Sequence, residues 1–108
     1  MVAVVWILNG LWAFLSPRSF YDRLATFPPY NVHFLHDIGA FSIGLGAVIA
    51  LALVGWSALR SALVGVGIGS AVHVVSHLVD YERKPSVSDI ALLGAFTVVT
   101  VAAGLAAD

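Results

Sequence analysis

The sequence contains no cysteine and very little charge, with five Lys or Arg and six Asp or Glu among 108 residues. The lack of cysteine excludes disulfide bonds, thiolate metal ligands and a thiol nucleophile. A charged fraction of 10% lies far below the roughly 25% that is usual for soluble domains. The composition therefore excludes a soluble enzyme and a disordered segment, and the absence of a basic patch excludes a nucleic-acid-binding protein.

What remains is mostly apolar, because 60% of the residues are hydrophobic and four uninterrupted stretches carry no charge. These stretches are 17 to 22 residues long, and a helix needs roughly 20 apolar residues to cross a bilayer. The chain is thus predicted to be a single integral membrane domain over residues 1–108 that contacts the lipid bilayer along its length. The predicted spans cover about 2–15, 32–54, 61–81 and 87–107.

Short connections between these spans predict an all-α, up-down-up-down four-helix bundle. In the first loop, Ser16-Pro17 resembles a helix start, and Phe20, Leu24 and Phe27 recur at helical spacing. This pattern is typical of a short helix that lies in the membrane interface.

The basic residues indicate how the chain is oriented. The first and third loops hold four of the five, and the second loop holds only Arg60. By the positive-inside rule, we expect both termini outside a bacterial-type cytoplasmic (inner) membrane, crossed several times. Residues 1–17 have neither a basic leading region nor a clear cleavage site, so we expect them to be a retained span.

All four histidines lie on the second and third predicted spans. Helical spacing predicts that His33, His36 and Asp37 share one face, and that His73, His77 and Asp80 share another. Antiparallel spans would bring the two faces to the same depth, and ionisable groups inside a membrane mark a functional site by default. We assign His36 and Asp37 as candidate catalytic residues and His36, His73 and His77 as candidate metal ligands. Five polar residues are expected to support them, namely Asn9, His33, Ser76, Asp80 and Asp89.

Three chemistries suit these residue types. The His73-x3-His77 pair with His36 and Asp37 is suited to a divalent metal such as zinc or iron. A histidine beside a carboxylate is also suited to proton transfer, and histidines on facing helices can ligate haem, which we consider the weaker interpretation. Against all three stands a structural interpretation, in which the cluster only joins helices by polar contacts and Asp89 caps the fourth span.

The residue set is similar to that of membrane hydrolases of the alkaline ceramidase kind, through His73, His77, His36, Asp37 and Ser76. This resemblance implies zinc-dependent hydrolysis, although those hydrolases have seven spans.

The overall pattern resembles the DoxX-like families of small four-span bacterial membrane proteins. The resemblance rests on residues 10–18, which close the first span, and on residues 31–41, which open the second. It implies a membrane-embedded helper of redox or quinone-linked systems and provides no catalytic residues. The sequence thus leads us to expect a His/Asp pocket that binds a metal or redox cofactor and acts on a lipophilic substrate or quinone. Such a chain would be a metal-dependent hydrolase or a redox-linked subunit. The alternative is a non-catalytic accessory subunit in a larger membrane complex or homo-oligomer.

Overall fold

The computed structural model describes residues 1–80 and 86–107, and the described chain consists of five helices. It confirms the all-α class. The helices are α1 (Val2–Leu15), α2 (Pro17–Arg23), α3 (Val32–Leu53), α4 (Ala58–Val79) and α5 (Val87–Ala106).

The helix ends follow local signals in the sequence. Asn31 caps α3 by accepting a hydrogen bond from the backbone N–H of Phe34 at 3.1 Å. Gly55 provides the left-handed turn after α3, with φ of 92°, and Ser57 then caps α4. A residue with a Cβ rarely adopts such a φ, so glycine is the residue suited to this turn.

Three helices, α3, α4 and α5, are long and apolar enough to cross a membrane, and α1 is a shorter apolar helix. These helices support a membrane-embedded protein. Helix α1 covers the same residues as the first predicted span, whereas α4 begins three residues before the third predicted span, at Ala58. The predicted end of the third span at 81 and the charged loop 82–85 lie outside the described residues.

The first loop contains a helix, but a shorter one than the apolar pattern predicted. The predicted stripe extended to Phe27, whereas α2 ends at Arg23. Phe20 packs with Ala13 and Leu35 in a small buried core, while Phe27 is 84% exposed. Helix α2 therefore packs on α1 and α3 through Phe20, and Tyr21 packs against the same core.

Helices α1, α3, α4 and α5 lie side by side in one layer, and a closed bundle is not confirmed. Extensive contacts join α1 to α3, α3 to α4, and α4 to α5, whereas α1 and α5 form no extensive contact in the described chain. The molecule measures 43 × 36 × 16 Å, and its smallest dimension is close to the thickness of about one or two helices. Helices α3 and α4 meet in reversed residue order, with Gly44 against Gly69 and Val48 against Gly65, so these two helices run antiparallel.

Candidate functional site

The polar residues of α3 and α4 meet at the end of the layer where α3 begins and α4 ends. We call this group the His/Asp cluster, and it consists of His33, His36, Asp37, His73, Ser76, His77 and Asp80. The antiparallel packing of the two helices brings together residues that are about 40 positions apart in the chain.

Asp80 joins two histidines of α3. Its Oδ2 atom lies 2.7 Å from Nδ1 of His36 and 2.9 Å from Nδ1 of His33. Asp80 is buried and sits one residue beyond the end of α4. Burial disfavours its charge, but hydrogen bonds and charge interactions with His36 and His33 outweigh that effect and hold the pKa of the Asp80 carboxyl below its usual value.

Asp37 forms the second centre of the cluster. Its Oδ1 atom accepts a hydrogen bond from the Ser76 hydroxyl at 2.9 Å and lies 3.1 Å from Nε2 of His73. Its Oδ2 atom lies 3.5 Å from Nε2 of His33. Histidines and carboxylates therefore alternate across the helix interface.

The fourth histidine, His77, lies between these groups. Its Nε2 atom is 3.2 Å from Nε2 of His73, and its ring packs edge-to-face on His33 with centroids 4.8 Å apart. Among the described residues, Nδ1 of His77 is buried and has no hydrogen-bond partner.

His33, Asp37 and His77 form a group that could hold a metal ion, because one potential ligand atom from each lies within 4.8 Å of the others. This set differs from the metal ligands suggested by the sequence, since His33 takes part and neither His36 nor His73 does. The His36 ring is buried against Phe14, with centroids 4.8 Å apart, and its Nδ1 is engaged by Asp80. Helical spacing placed all of these residues on the right faces, but it gave no information on which ring atoms meet.

Two of the expected supporting residues lie apart from the cluster. Asn9 donates a hydrogen bond to the backbone oxygen of Val5 within α1 at 3.1 Å. Asp89 is exposed in the first turn of α5. Ser86, three residues before Asp89, is the N-cap of α5, but the Ser86 side chain makes no capping hydrogen bond.

A groove between α3 and α4 begins at the cluster and has a volume of about 330 Å³. Asp37 and His73 line its polar end, and the rest of its wall is mainly apolar or glycine, from Phe41 and Gly44 to Val48 and Val66. We call it the α3–α4 groove. Its polar end shares Asp37 with the metal-capable group.

Comparison of the chain with protein-family models, curated proteins and solved structures finds no match. The resemblance to DoxX-like proteins and the analogy with ceramidase-type hydrolases therefore stay hypotheses. The chemistry of the site has to be argued from its own residues.

Proposed function

We propose that this chain is a membrane protein that binds a divalent transition-metal ion through His33, Asp37 and His77, and presents it to a lipophilic molecule. The observation that carries the proposal is the convergence of these three donors within 4.8 Å at the α3–α4 interface. Three protein ligands leave a coordination position for a substrate or water, as in catalytic metal sites.

The hydrogen bonds around two of the donors support this role. A metal-binding histidine usually donates its other ring N–H to a carboxylate or carbonyl group. Asp80 occupies that position for His33, at 2.9 Å from Nδ1, so Nε2 is left for the metal. Ser76 donates to Oδ1 of Asp37, which leaves Oδ2 for the metal on the side of His33.

The donor types favour zinc or iron. Imidazole suits both metals, and two histidines with one carboxylate form a set used by zinc enzymes and by non-haem iron(II) enzymes. Haem is less favoured, because the rings of His33 and His77 contact each other directly. A porphyrin would have to separate two such rings to be ligated by both.

The metal would act as a Lewis acid toward an oxygen of the bound molecule. Because the site lies beside an apolar groove, we expect the bound molecule to be a quinone or another lipophilic substrate. Both a metal-dependent hydrolase and a redox-linked subunit are consistent with such a site. We propose that the protein lies in a bacterial-type inner membrane with its termini outside. A topology reporter fused after Asp108 tests this orientation, and we expect it to give a periplasmic signal.

Metal analysis of the purified protein tests the proposal. We expect bound zinc or iron, and His77→Ala should weaken binding by more than the about 10–100-fold that loss of a supporting residue typically costs. Asn9→Ala is the matched control, since Asn9 is a polar side chain of a membrane helix that bonds only to its own helix in the described contacts. The control should keep the metal. Protein that contains no metal and takes up none in equilibrium dialysis would contradict the proposal.

The second candidate is an accessory subunit, and the single-layer arrangement favours it. Helix α5 packs on α4 and leaves Leu92, Val98 and Val99 exposed. Those surfaces are available to another membrane protein or a second copy of the chain. If the His73→Ala/His77→Ala double variant keeps its fold and the parent binds no metal, the accessory role is the one supported.

A further inference from the structure

The end of the layer opposite the His/Asp cluster carries one basic side chain among the described residues. This residue is Arg60, which lies in the first turn of α4, two residues after Ala58. It is about 26 Å along the helix from His77, at a rise of 1.5 Å per residue. Because α4 is long and apolar enough to cross a membrane, Arg60 lies near one membrane surface and the cluster near the other.

Arg60 is stacked on an aromatic ring. Its Cζ atom lies 4.3 Å from the centroid of the Trp56 ring, which comes from the turn between α3 and α4. Tryptophan attracts a guanidinium more strongly than other rings do, and it is enriched at membrane–water interfaces. The backbone N–H of Arg60 also donates to the Ser57 side chain at 3.2 Å. The turn that carries the ring therefore also fixes the backbone that carries the guanidinium.

The hydrogen-bond donors of this guanidinium are not used within the described chain. Its Nε atom is buried and has no hydrogen-bond partner, and its two Nη atoms form no hydrogen bond or ion pair with a described residue. Arg18 is the contrast, because its Nε lies 3.0 Å from Oδ2 of Asp22. A charged donor without a partner is costly beside apolar surface. Arg60 therefore requires an acceptor from outside the described chain.

The surrounding residues indicate the kind of molecule that supplies this acceptor. Leu53, Val54 and Leu59 come from the same turn and helix ends, and they are 72%, 71% and 61% exposed. In a membrane, acyl chains cover such side chains. A phosphate at the membrane surface can accept from both Nη atoms of Arg60 in the bidentate geometry that arginine favours. A phospholipid provides the acyl chains and the phosphate in one molecule.

The charges near Arg60 favour a phospholipid of net negative charge. The acidic side chains of the described chain lie on α2, in the His/Asp cluster and in the first turn of α5. The first turn of α5 is distant from Arg60, because Gly104, near the other end of α5, packs beside Val64 of α4. The ammonium of a choline or ethanolamine head group thus finds no described carboxylate here, and the Trp56 ring already carries a cation.

We propose that Arg60, held on Trp56, binds the phosphate of an anionic phospholipid such as phosphatidylglycerol, in the leaflet opposite the His/Asp cluster. This lipid site is separate from the proposed metal site, and lipid binding there does not require the metal.

Quenching of tryptophan fluorescence by brominated lipids tests the proposal, since bromine on an acyl chain quenches an indole ring that it contacts. The chain has three tryptophans, and the substitutions Trp6→Phe and Trp12→Phe leave Trp56 as the only indole. In bilayers of phosphatidylcholine and brominated phosphatidylglycerol, we expect Trp56 to favour phosphatidylglycerol about fivefold. This preference corresponds to about 1 kcal/mol, as is typical of one basic residue near an anionic surface.

Arg60→Gln removes the proposed phosphate ligand, and Arg23→Gln is its matched control. Arg23 is an exposed arginine of α2 whose side chain has no hydrogen bond or ion pair with a described residue. Both variants lose one positive charge, so a general attraction to anionic lipid falls equally in both. We expect Arg60→Gln to abolish the preference at Trp56 and Arg23→Gln to retain it. Native mass spectrometry of the chain with all three tryptophans should show one phosphatidylglycerol that Arg60→Gln loses and Arg23→Gln keeps.

Three results would overturn the inference. They are equal quenching by brominated phosphatidylglycerol and brominated phosphatidylcholine, an equal loss of preference in Arg60→Gln and Arg23→Gln, and displacement of the lipid by an excess of glycerol phosphate in the water. The last result would mean that Arg60 binds a free phosphate and not a lipid. Measured on metal-depleted protein, the assay is independent of the metal proposal, so failure of the lipid site leaves that proposal standing.

Discussion

Helices α3 and α4 share one interface, and its two halves are built from opposite kinds of residue. Toward the turn at Gly55, the contact is made by glycines, with Gly44 against Gly69 and Gly65 against Val48. Toward the other end it is made by histidines and carboxylates. The glycine half brings the backbones together, and the polar half joins them through side chains.

The difference indicates that helix association and ligand binding depend on different halves of this interface. Lipid offers no hydrophobic driving force for helix association, so close packing of small residues has to provide it. Hydrogen bonds between membrane helices contribute only about 0.6 kcal/mol each on average. Seven polar residues are therefore more than helix association requires, and the glycine half already holds the helices in register. The polar half is thereby available for binding.

The largest effect on folding should come from the glycine half. In Gly65→Val the new Cβ would lie 2.7 Å from the backbone nitrogen of Val48. Because neither helix can yield without losing its other contacts, we expect a loss of about 1–3 kcal/mol or more, as is typical of overpacking. Helicity followed during unfolding in detergent would measure it.

Gly94→Val is the control for that substitution. Gly94 lies in α5, a helix of similar composition, and a Cβ built there meets nothing within 4 Å. We expect stability close to that of the parent. If both variants lose the same stability, the effect comes from valine in a helix and not from the close approach of α3 and α4.

Substitution of Asp80 should have an intermediate effect, and it should lower the affinity for metal more than the stability of the fold. Asp80→Asn removes the charge that orients His33 and His36. With the proposed metal site, we expect the affinity for zinc to fall about 10–100-fold, as is typical when a carboxylate that supports a metal-binding histidine is lost. Competition with a coloured chelator would measure the affinity, and helicity would report the fold.

Asp22→Asn provides the comparison for that variant. Asp22 pairs with Arg18 at 3.0 Å on the exposed surface of α2, far from the cluster in sequence. Exposed ion pairs contribute little, so zinc affinity and stability should both stay near those of the parent. An unchanged zinc affinity in Asp80→Asn would contradict the role of Asp80 as a positioning residue.

The sequence predicted the helices well and their arrangement less well. Charge-free stretches and caps such as Asn31 fixed where α3 begins, because these signals are local. The single layer was not predictable from one stripe of small residues per helix. Helix α3 has glycine contacts on two sides, through Gly39 toward α1 and through Gly44 toward α4. That pattern places α3 between two neighbours in a row.

The candidate site shows a similar limit. Helical spacing predicted that the histidines of α3 and α4 would share an interface, and the structure brings them together. The roles of His33 and His36 depended on where Asp80 reaches from the end of α4. Its carboxylate engages Nδ1 of both rings, but only His33 has its Nε2 near Asp37. Asp80 lies beyond the end of α4, so the direction of its side chain depends on tertiary packing. The spacing of residues along the helix could not predict that direction.

The smallest effect should come from Ser76, which tests whether the polar half contributes to helix association at all. Ser76 is fully buried, and its hydroxyl lies 2.9 Å from Oδ1 of Asp37 on the neighbouring helix and 2.8 Å from the backbone oxygen of His73 in its own helix. Ser76→Ala should cost about 0.6 kcal/mol, the average for a hydrogen bond between membrane helices. Thr100→Val is the control, because Thr100 is also buried but its hydroxyl bonds to Phe96 within its own helix at 2.8 Å. Unfolding in detergent should place Ser76→Ala slightly below the parent and Thr100→Val close to it. A loss in Ser76→Ala as large as that in Gly65→Val would mean that the polar half, and not the glycine half, holds α3 and α4 together.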